Sequence, residues 1–433
     1  VIVILGAGIA GLAAAARLAA GGEPFLLLER EGEAGGLCRS YREGPFSFDY
    51  SGHFLHTSGA SHPLLDPLLS PRRMGRTNRD ARVWSRGVST PFPFQANLHG
   101  RPEGAVRRMV RGYARALEGL AFGDGAPPGS YREWLASRFG DAMCRAFFYP
   151  YNRKMWRLPL EEMVPSWADW SIPLPSFEEV LSGATGRRVE GFGYNATFLY
   201  PRRGGIGSLP GRMAAPLDGA VRTGFAASRL DLSAREVTDG EGRTVRYDRL
   251  VSTVPLPDLC RMARGLPRPL REAGERLRWT RILTVNWGVR GEASSVGHWT
   301  YVPDRAVPYF RVGCLSAVDR GAAPDGHASL FTDQAFPGTG PVDAAREAAR
   351  CRAALVRQGV IRRESDAVVA SPVLLDPGYV VFDRHRAPAV ARLARHFRGR
   401  GVHLAGRYGT WDYFGMERSI LSGIAAADDA LGR

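Results

Sequence analysis

Three glycines spaced Gly6-x-Gly8-x-x-Gly11 follow the apolar run Val1–Leu5, and an acidic residue, Glu29, ends the next apolar run, Phe25–Leu28. A strand, turn and helix start of this kind can grip a dinucleotide. The glycines permit a tight turn, bring backbone up to the pyrophosphate and let the helix pack closely. The helix N-terminus offers unpaired N–H groups and partial positive charge to the phosphates, while a carboxylate at Glu29 can accept ribose hydroxyls. Farther along, Phe148-Tyr149-Pro150-Tyr151-Asn152-Arg153-Lys154-Met155-Trp156 packs aromatics, an amide and two cations together. Aromatic faces can stack on a base while an amide reads its edge; the same composition also suits a helix end packed into a core. In Asp49-Tyr50-Ser51-Gly52-His53-Phe54-Leu55-His56, His53 is either a polar group beside a bound cofactor or a histidine satisfied by its own backbone. Pro91-Phe92-Pro93-Phe94-Gln95 has two prolines and cannot be a central strand, so it reads as a rigid loop presenting Phe92 and Gln95.

The elements that must hold these residues follow from hydrophobic periodicity. From about Arg101 to Leu181 the pattern is helical, with apolar residues three and four apart over Arg107–Leu120 and Tyr131–Phe148. The stretch Val221–Val254 returns to strands, with a hairpin over Glu236–Tyr247 around Asp239-Gly240-Glu241-Gly242 and a core strand at Leu250–Val254. Strands are predicted at Ile282–Val289, Trp299–Val302, Tyr309–Leu315 and Ala328–Thr332, with a helix at Asp343–Gln358. A strand at Val402-His403-Leu404 and a helix from about Glu417 to Leu431 close the chain. The fold class is therefore α/β: a discontinuous Rossmann-like cofactor domain with a helical insertion and a mixed or antiparallel β substrate domain. The predicted segments are 1–90, 201–265 and 393–433 for the cofactor domain, 91–200 for the helical insertion and 266–392 for the substrate sheet.

A chain of 433 residues, 44% hydrophobic and 23% charged, has room for two or three domains with real cores. The net charge is +15, carried almost wholly by arginine, with Lys154 the single lysine. Such a surplus concentrates anionic substrates. The arginines are scattered, and no basic arm, metal-ligand spacing or aromatic-basic RNA motif accompanies them, so nucleic acid and metal are not expected partners. The five cysteines lie far apart without a CxxC. With no apolar run of about 20 residues and no signal-like opening, they point to a soluble protein of the reducing cytoplasm, without a membrane partner. Oligomeric state is not legible.

Directly after Glu29 comes Arg30-Glu31-Gly32-Glu33-Ala34-Gly35-Gly36-Leu37, whose second glycine pair lets another loop approach a long, bent cofactor. This extension resembles the FAD-binding opening of the glutathione-reductase-like and amine-oxidase-like flavoproteins. The resemblance implies FAD rather than NAD, with Gly6, Gly8, Gly11, Glu29, Gly35 and Gly36 holding one end, and Gly406, Arg407 and Met416 lying over the flavin.

A second resemblance is spread over essentially the whole chain. Ser51-Gly52-His53-Phe54-Leu55-His56, Pro93-Phe94-Gln95, Tyr151–Trp156, Tyr194-Asn195-Ala196-Thr197-Phe198 with Pro201–Gly205, and Gly406–Tyr413 occur in the order of the UDP-galactopyranose mutases, particularly the eukaryotic type. Trp299-Thr300-Tyr301, Pro308-Tyr309-Phe310-Arg311 and Gly378-Tyr379 fall where that family keeps its diphosphate ligands. The resemblance implies a nucleoside-diphosphate sugar as substrate, held at the diphosphate by Tyr301, Arg311, Tyr379 and Tyr413. It places Gln95, Asn152 and Trp156 around the nucleoside, Asn195 among the substrate-binding residues, His53 near the flavin and Arg407 beside flavin or substrate. Guanidinium forks match phosphate oxygens, and phenols donate without adding charge. The implied chemistry is interconversion of pyranose and furanose forms, with reduced flavin N5 as nucleophile and NADPH or NADH as the reductant; His53, Arg311, Arg407, Tyr301 and Tyr413 make up the implied catalytic set. Two departures stand out: Ser171 occupies the position of an arginine on the family's closing loop, and the turn Tyr413-Phe414-Gly415-Met416-Glu417 is shorter and lacks the usual amide. The alternative is a net redox enzyme of the amine-oxidase or desaturase type, which shares the flavin-binding opening and closing strand.

Overall fold

The apolar opening Ile2–Leu5 is the central strand of a five-stranded parallel sheet in the computed structural model, which describes residues 1–58, 62–122, 127–189, 191–193, 195–217 and 219–432. All its side chains are buried, as a parallel strand covered on both faces requires. Phe25–Leu28 and then Val221–Arg222 pair on one side, Arg249–Ser252 and then Val402–Leu404 on the other. Three distant stretches of chain thus build one sheet, the discontinuous α/β arrangement expected. The final helix, Met416–Leu431, lies on the first, Ile9–Ala20, where Arg17 pairs with Asp428 at 2.7 Å.

The helical layer holds Glu103–Phe122, Tyr131–Met143 and Tyr149–Trp156. The predicted single helix over 131–148 is kinked. Gly140 has φ 71° inside it because the chain passes against the backbone of Gly112, where a Cβ would meet the carbonyl oxygen at 2.5 Å. A widened turn, Cys144–Phe148, then joins it to the next helix.

A seven-stranded sheet runs in the order Ala367–Val380, Trp279–Arg290, His327–Pro337, Arg311–Cys314, Trp299–Tyr301, Ala81–Ser85, Val88–Pro91. Its first member was not predicted: Pro372 and Pro377 argue against a strand, but an edge position tolerates them. The stretch 1–90 also needs correction as a purely cofactor-binding segment, since Ala81–Ser85 buries alternate residues and pairs with Trp299–Tyr301. Register in this sheet sets up the site, because Thr284 pairs with Asp333, Asp333 with Arg311, and Arg311 with Tyr301 in one row across four strands. The predicted hairpin is present as Glu236–Asp239 against Thr244–Arg246, within a separate four-stranded sheet.

Candidate active site

The carboxyl ends of the parallel strands and one face of the seven-stranded sheet wall a cavity of about 1080 Å³. Gly6, Gly8, Glu29, Gly35, Gly36, Gly406, Arg407 and Met416 line one part of it. Gly11 lies behind this wall, where a Cβ would sit 1.8 Å from the Gly6 carbonyl oxygen, so only glycine lets the first helix start this close to the strand. Gly35 donates its N–H to the Ala7 carbonyl at 2.8 Å, which brings the second glycine pair against the first turn. Glu29 is buried and accepts from the N–H groups of Ala7 at 2.6 Å and Glu31 at 3.0 Å, so it also orders the turn it follows. The first helix has no side-chain cap at Gly8, leaving its first N–H groups for a phosphate.

The other part is cationic and aromatic. Arg311 Nε donates to Asp333 Oδ2 at 2.7 Å, and Asp333 also accepts from Thr284 Oγ1 at 2.7 Å and Ser51 Oγ at 3.1 Å. Burial opposes the Arg311 charge, but the Asp333 carboxylate outweighs it and holds the guanidinium pKa above its ordinary value. Arg407 donates to the Phe414 carbonyl at 3.1 Å, and its guanidinium carbon lies 4.7 Å from the Tyr413 ring centre and 5.1 Å from that of Tyr379. Tyr379 and Tyr413 stack at 5.8 Å. Burial raises the Tyr379 pKa although Arg311 and Arg407 pull it down, so the phenol keeps its proton and can donate. Tyr301, Arg311, Tyr379, Arg407, Tyr413, His53 and Asn195 all line the cavity. Asn195 Oδ1 accepts from Arg79, and Tyr194 lies outside the described residues.

The structure does not bring Gln95, Asn152 or Trp156 to the cavity wall. Gln95 is buried, not presented by its loop, and donates to the Pro173 carbonyl at 2.6 Å. Asn152 accepts from Tyr131 OH and Trp156 Nε1, both at 3.1 Å, and donates to the Phe148 carbonyl at 2.9 Å. Their polar groups are spent on protein. Trp156 instead packs behind Tyr379 and Tyr413, with ring centres 5.8 and 6.4 Å away. Sequence reasoning missed Asp333, Glu417 and Arg418. A lone acid in the apolar run Leu330-Phe331-Thr332-Asp333 was the available signal, since a charge inside a strand needs a partner. Glu417 accepts from the Ser58 N–H at 2.8 Å and from the Thr57 hydroxyl, tying the segment after His53 to the last helix.

His53 Nδ1 is a buried polar atom that finds no hydrogen-bond partner among the described residues. Burial first, and then the Arg311 charge, lower its pKa to about 4. The unfolded chain holds that proton up to about pH 6.5. Between these values unfolding takes up a proton, so His53 destabilises the fold progressively as pH falls through the window. The melting temperature is expected to drop from pH 6.5 towards 4, and His53→Gln to remove part of that slope; equal slopes in circular-dichroism melts would refute the assignment.

Glycine turns, two helix N-termini and a cavity larger than a small substrate needs fit FAD. They define a flavin-dependent enzyme. Residues 9–431 match the family of flavin containing amine oxidoreductases, and the chain belongs to that family. A reduced UDP-galactopyranose mutase has the same fold with a TM-score of 0.92 at 28% identity, over 100% of this chain and 93% of that one. Putrescine oxidase bound to putrescine shares the fold at a TM-score of 0.66 and 16% identity, over 100% and 99% of the two chains. Among curated proteins, the inactive all-trans-retinol 13,14-reductase of Danio rerio is 43% identical over 54 residues, a match spanning 12% of this chain and only 9% of that protein. Among the described residues no helix is long and apolar enough to cross a membrane.

Proposed function

We propose that this protein is an FAD-dependent mutase that interconverts pyranose and furanose forms of a nucleoside-diphosphate sugar of the UDP-galactose type. The observation that carries the reading is that Tyr301 and Arg311, neighbours in one sheet row anchored by buried Asp333, face one cavity with Tyr379, Arg407 and Tyr413. A guanidinium among phenols, with a second beside it, suits a leaving diphosphate sugar better than a small amine. The whole-chain likeness to a reduced UDP-galactopyranose mutase supports the same reading.

When bound and reduced, FAD supplies a nucleophilic N5 at the anomeric carbon. The protein's share is positioning and charge. Arg311, held in orientation by Asp333, would meet phosphate oxygens with its remaining N–H groups; Tyr301, Tyr379 and Tyr413 would donate phenolic protons to the same oxygens as negative charge develops. Arg407, caged by three tyrosines, would face flavin or sugar. The neutral His53 beside them can accept or donate a hydrogen bond without repelling either arginine.

The test is anaerobic. Protein reduced with dithionite or NADPH and offered UDP-galactose and a small panel of related nucleotide sugars should convert one of them to the furanose, resolved by chromatography. No turnover and no binding across the panel would sink the proposal. The family's name, and the loss of the closing-loop arginine at Ser171, keep a net oxidation as the second reading. Substrate-driven bleaching of oxidised flavin, with peroxide formed in air, would favour it.

A further inference from the structure

Three cations line the phosphate-facing cavity besides those of the glycine turns, and two of them are already committed. Arg311 is offset by Asp333, and Arg407 is caged among tyrosines and tied to the Phe414 carbonyl. The third is Arg418, in the first turn of the helix Met416–Leu431. It is exposed while lining the cavity, so it stands at the rim. No carboxylate pairs with it among the described residues. A cation in the first turn of a helix sits against the positive end of the dipole, an unfavourable local choice. Conflicts of this sort mark functional positions.

Two aromatic faces hold the Arg418 guanidinium. Its carbon lies 4.5 Å from the Phe414 ring centre and 5.7 Å from that of Trp170. Trp170 belongs to the short helix Ala168–Ser171 and is 43% exposed despite lining the cavity. The next residue, Ser171, turns its hydroxyl back to the Ala168 carbonyl at 3.2 Å and offers the cavity nothing. Stacking restrains the guanidinium plane but leaves its N–H edge free for two phosphate oxygens.

We propose that Arg418 is the cation that meets the diphosphate of the bound nucleotide, its guanidinium oriented by Trp170 and Phe414. The assignment rests on the nucleotide-sugar reading above. It makes the last helix, and not the segment carrying Ser171, the source of the second phosphate-binding guanidinium.

The test titrates FAD-loaded protein with UDP, GDP and uridine, following binding by calorimetry and by tryptophan fluorescence. Arg418→Ala is expected to weaken diphosphate binding about 10- to 100-fold, the loss of one charge-assisted contact. Uridine binding and the flavin spectrum should stay unchanged, and Arg418→Lys should restore part of the affinity. Equal diphosphate affinity in wild type and Arg418→Ala would overturn the assignment while leaving the nucleotide-sugar reading intact, as would an equal loss for uridine. A wild type that binds neither UDP nor GDP would overturn both.

Discussion

Asp333→Ala is expected to lower the unfolding free energy by about 3–5 kcal/mol, the cost of leaving a buried charge without its partner. Asp333 is fully buried, and its carboxylate is the acceptor for Arg311, Thr284 and Ser51 together. Removing it strands a cation and two hydroxyls at once. The unpaired Arg311 would then swing towards solvent in the cavity, so diphosphate affinity should fall along with stability. Asp333→Asn should be milder, because an amide oxygen still accepts but carries no charge. Replacing both residues, Arg311→Met with Asp333→Leu, should recover stability without recovering affinity, since an apolar pair often substitutes for a buried ion pair at no net loss. Urea unfolding of the three variants beside wild type checks this. An Asp333→Ala protein within about 0.5 kcal/mol of wild type, the usual effect of a surface change, would refute the coupling.

Gly11→Ala should yield a protein that purifies without its yellow colour. The added methyl would lie 1.8 Å from the Gly6 carbonyl oxygen, a backbone atom, and is itself fixed directly to the helix backbone. No rotamer relieves it, so the first helix must move off the turn that it helps to form. Overpacking of this kind costs about 1–3 kcal/mol, equivalent to roughly 5- to 150-fold in cofactor affinity if the strain is released in the empty state. Gly32→Ala is the control, because nothing lies within 4 Å of a Cβ there. Flavin absorbance per protein at 450 nm, about where oxidised flavin absorbs, together with the affinity for added FAD, provides the readout. Retention of stoichiometric FAD by Gly11→Ala would show that the turn is looser than its geometry implies.

The cofactor half of the cavity was legible because its signals are local. Gly6, Gly8, Gly11 and Glu29 lie within one strand–helix–strand unit, and Gly6 and Gly11 answer to constraints that only glycine meets, while Gly8 lines the cavity. The substrate half is assembled by sheet register between residues as far apart as Ser51 and Asp333, and periodicity carries no register. Resemblance supplied Tyr301, Arg311, Tyr379 and Tyr413, which the fold does bring to one wall. It failed for the cavity placement of Gln95, Asn152 and Trp156, whose identity matches a nucleotide site but whose hydrogen bonds and packing are satisfied inside the protein. Nothing in the run Tyr413–Ser419 distinguishes Arg418 from a solvated surface arginine. Its meaning comes from Trp170, distant in sequence, which the fold brings beside it at the cavity.

The parallel sheet also constrains when the enzyme can first become coloured. Its edge strand Val402–Leu404 and the helix that follows are made after every other strand of the sheet, yet Gly406, Arg407 and Met416 form part of the wall. A nascent chain not yet extended to Met416 would have the glycine turn and the second strand but no closed pocket. A closed cofactor wall therefore waits for the last helix to dock on the first, where Arg17 meets Asp428. Bound flavin would touch the glycine turn and the start of the last helix together, so the chain without it is expected to be the form more open to proteolysis.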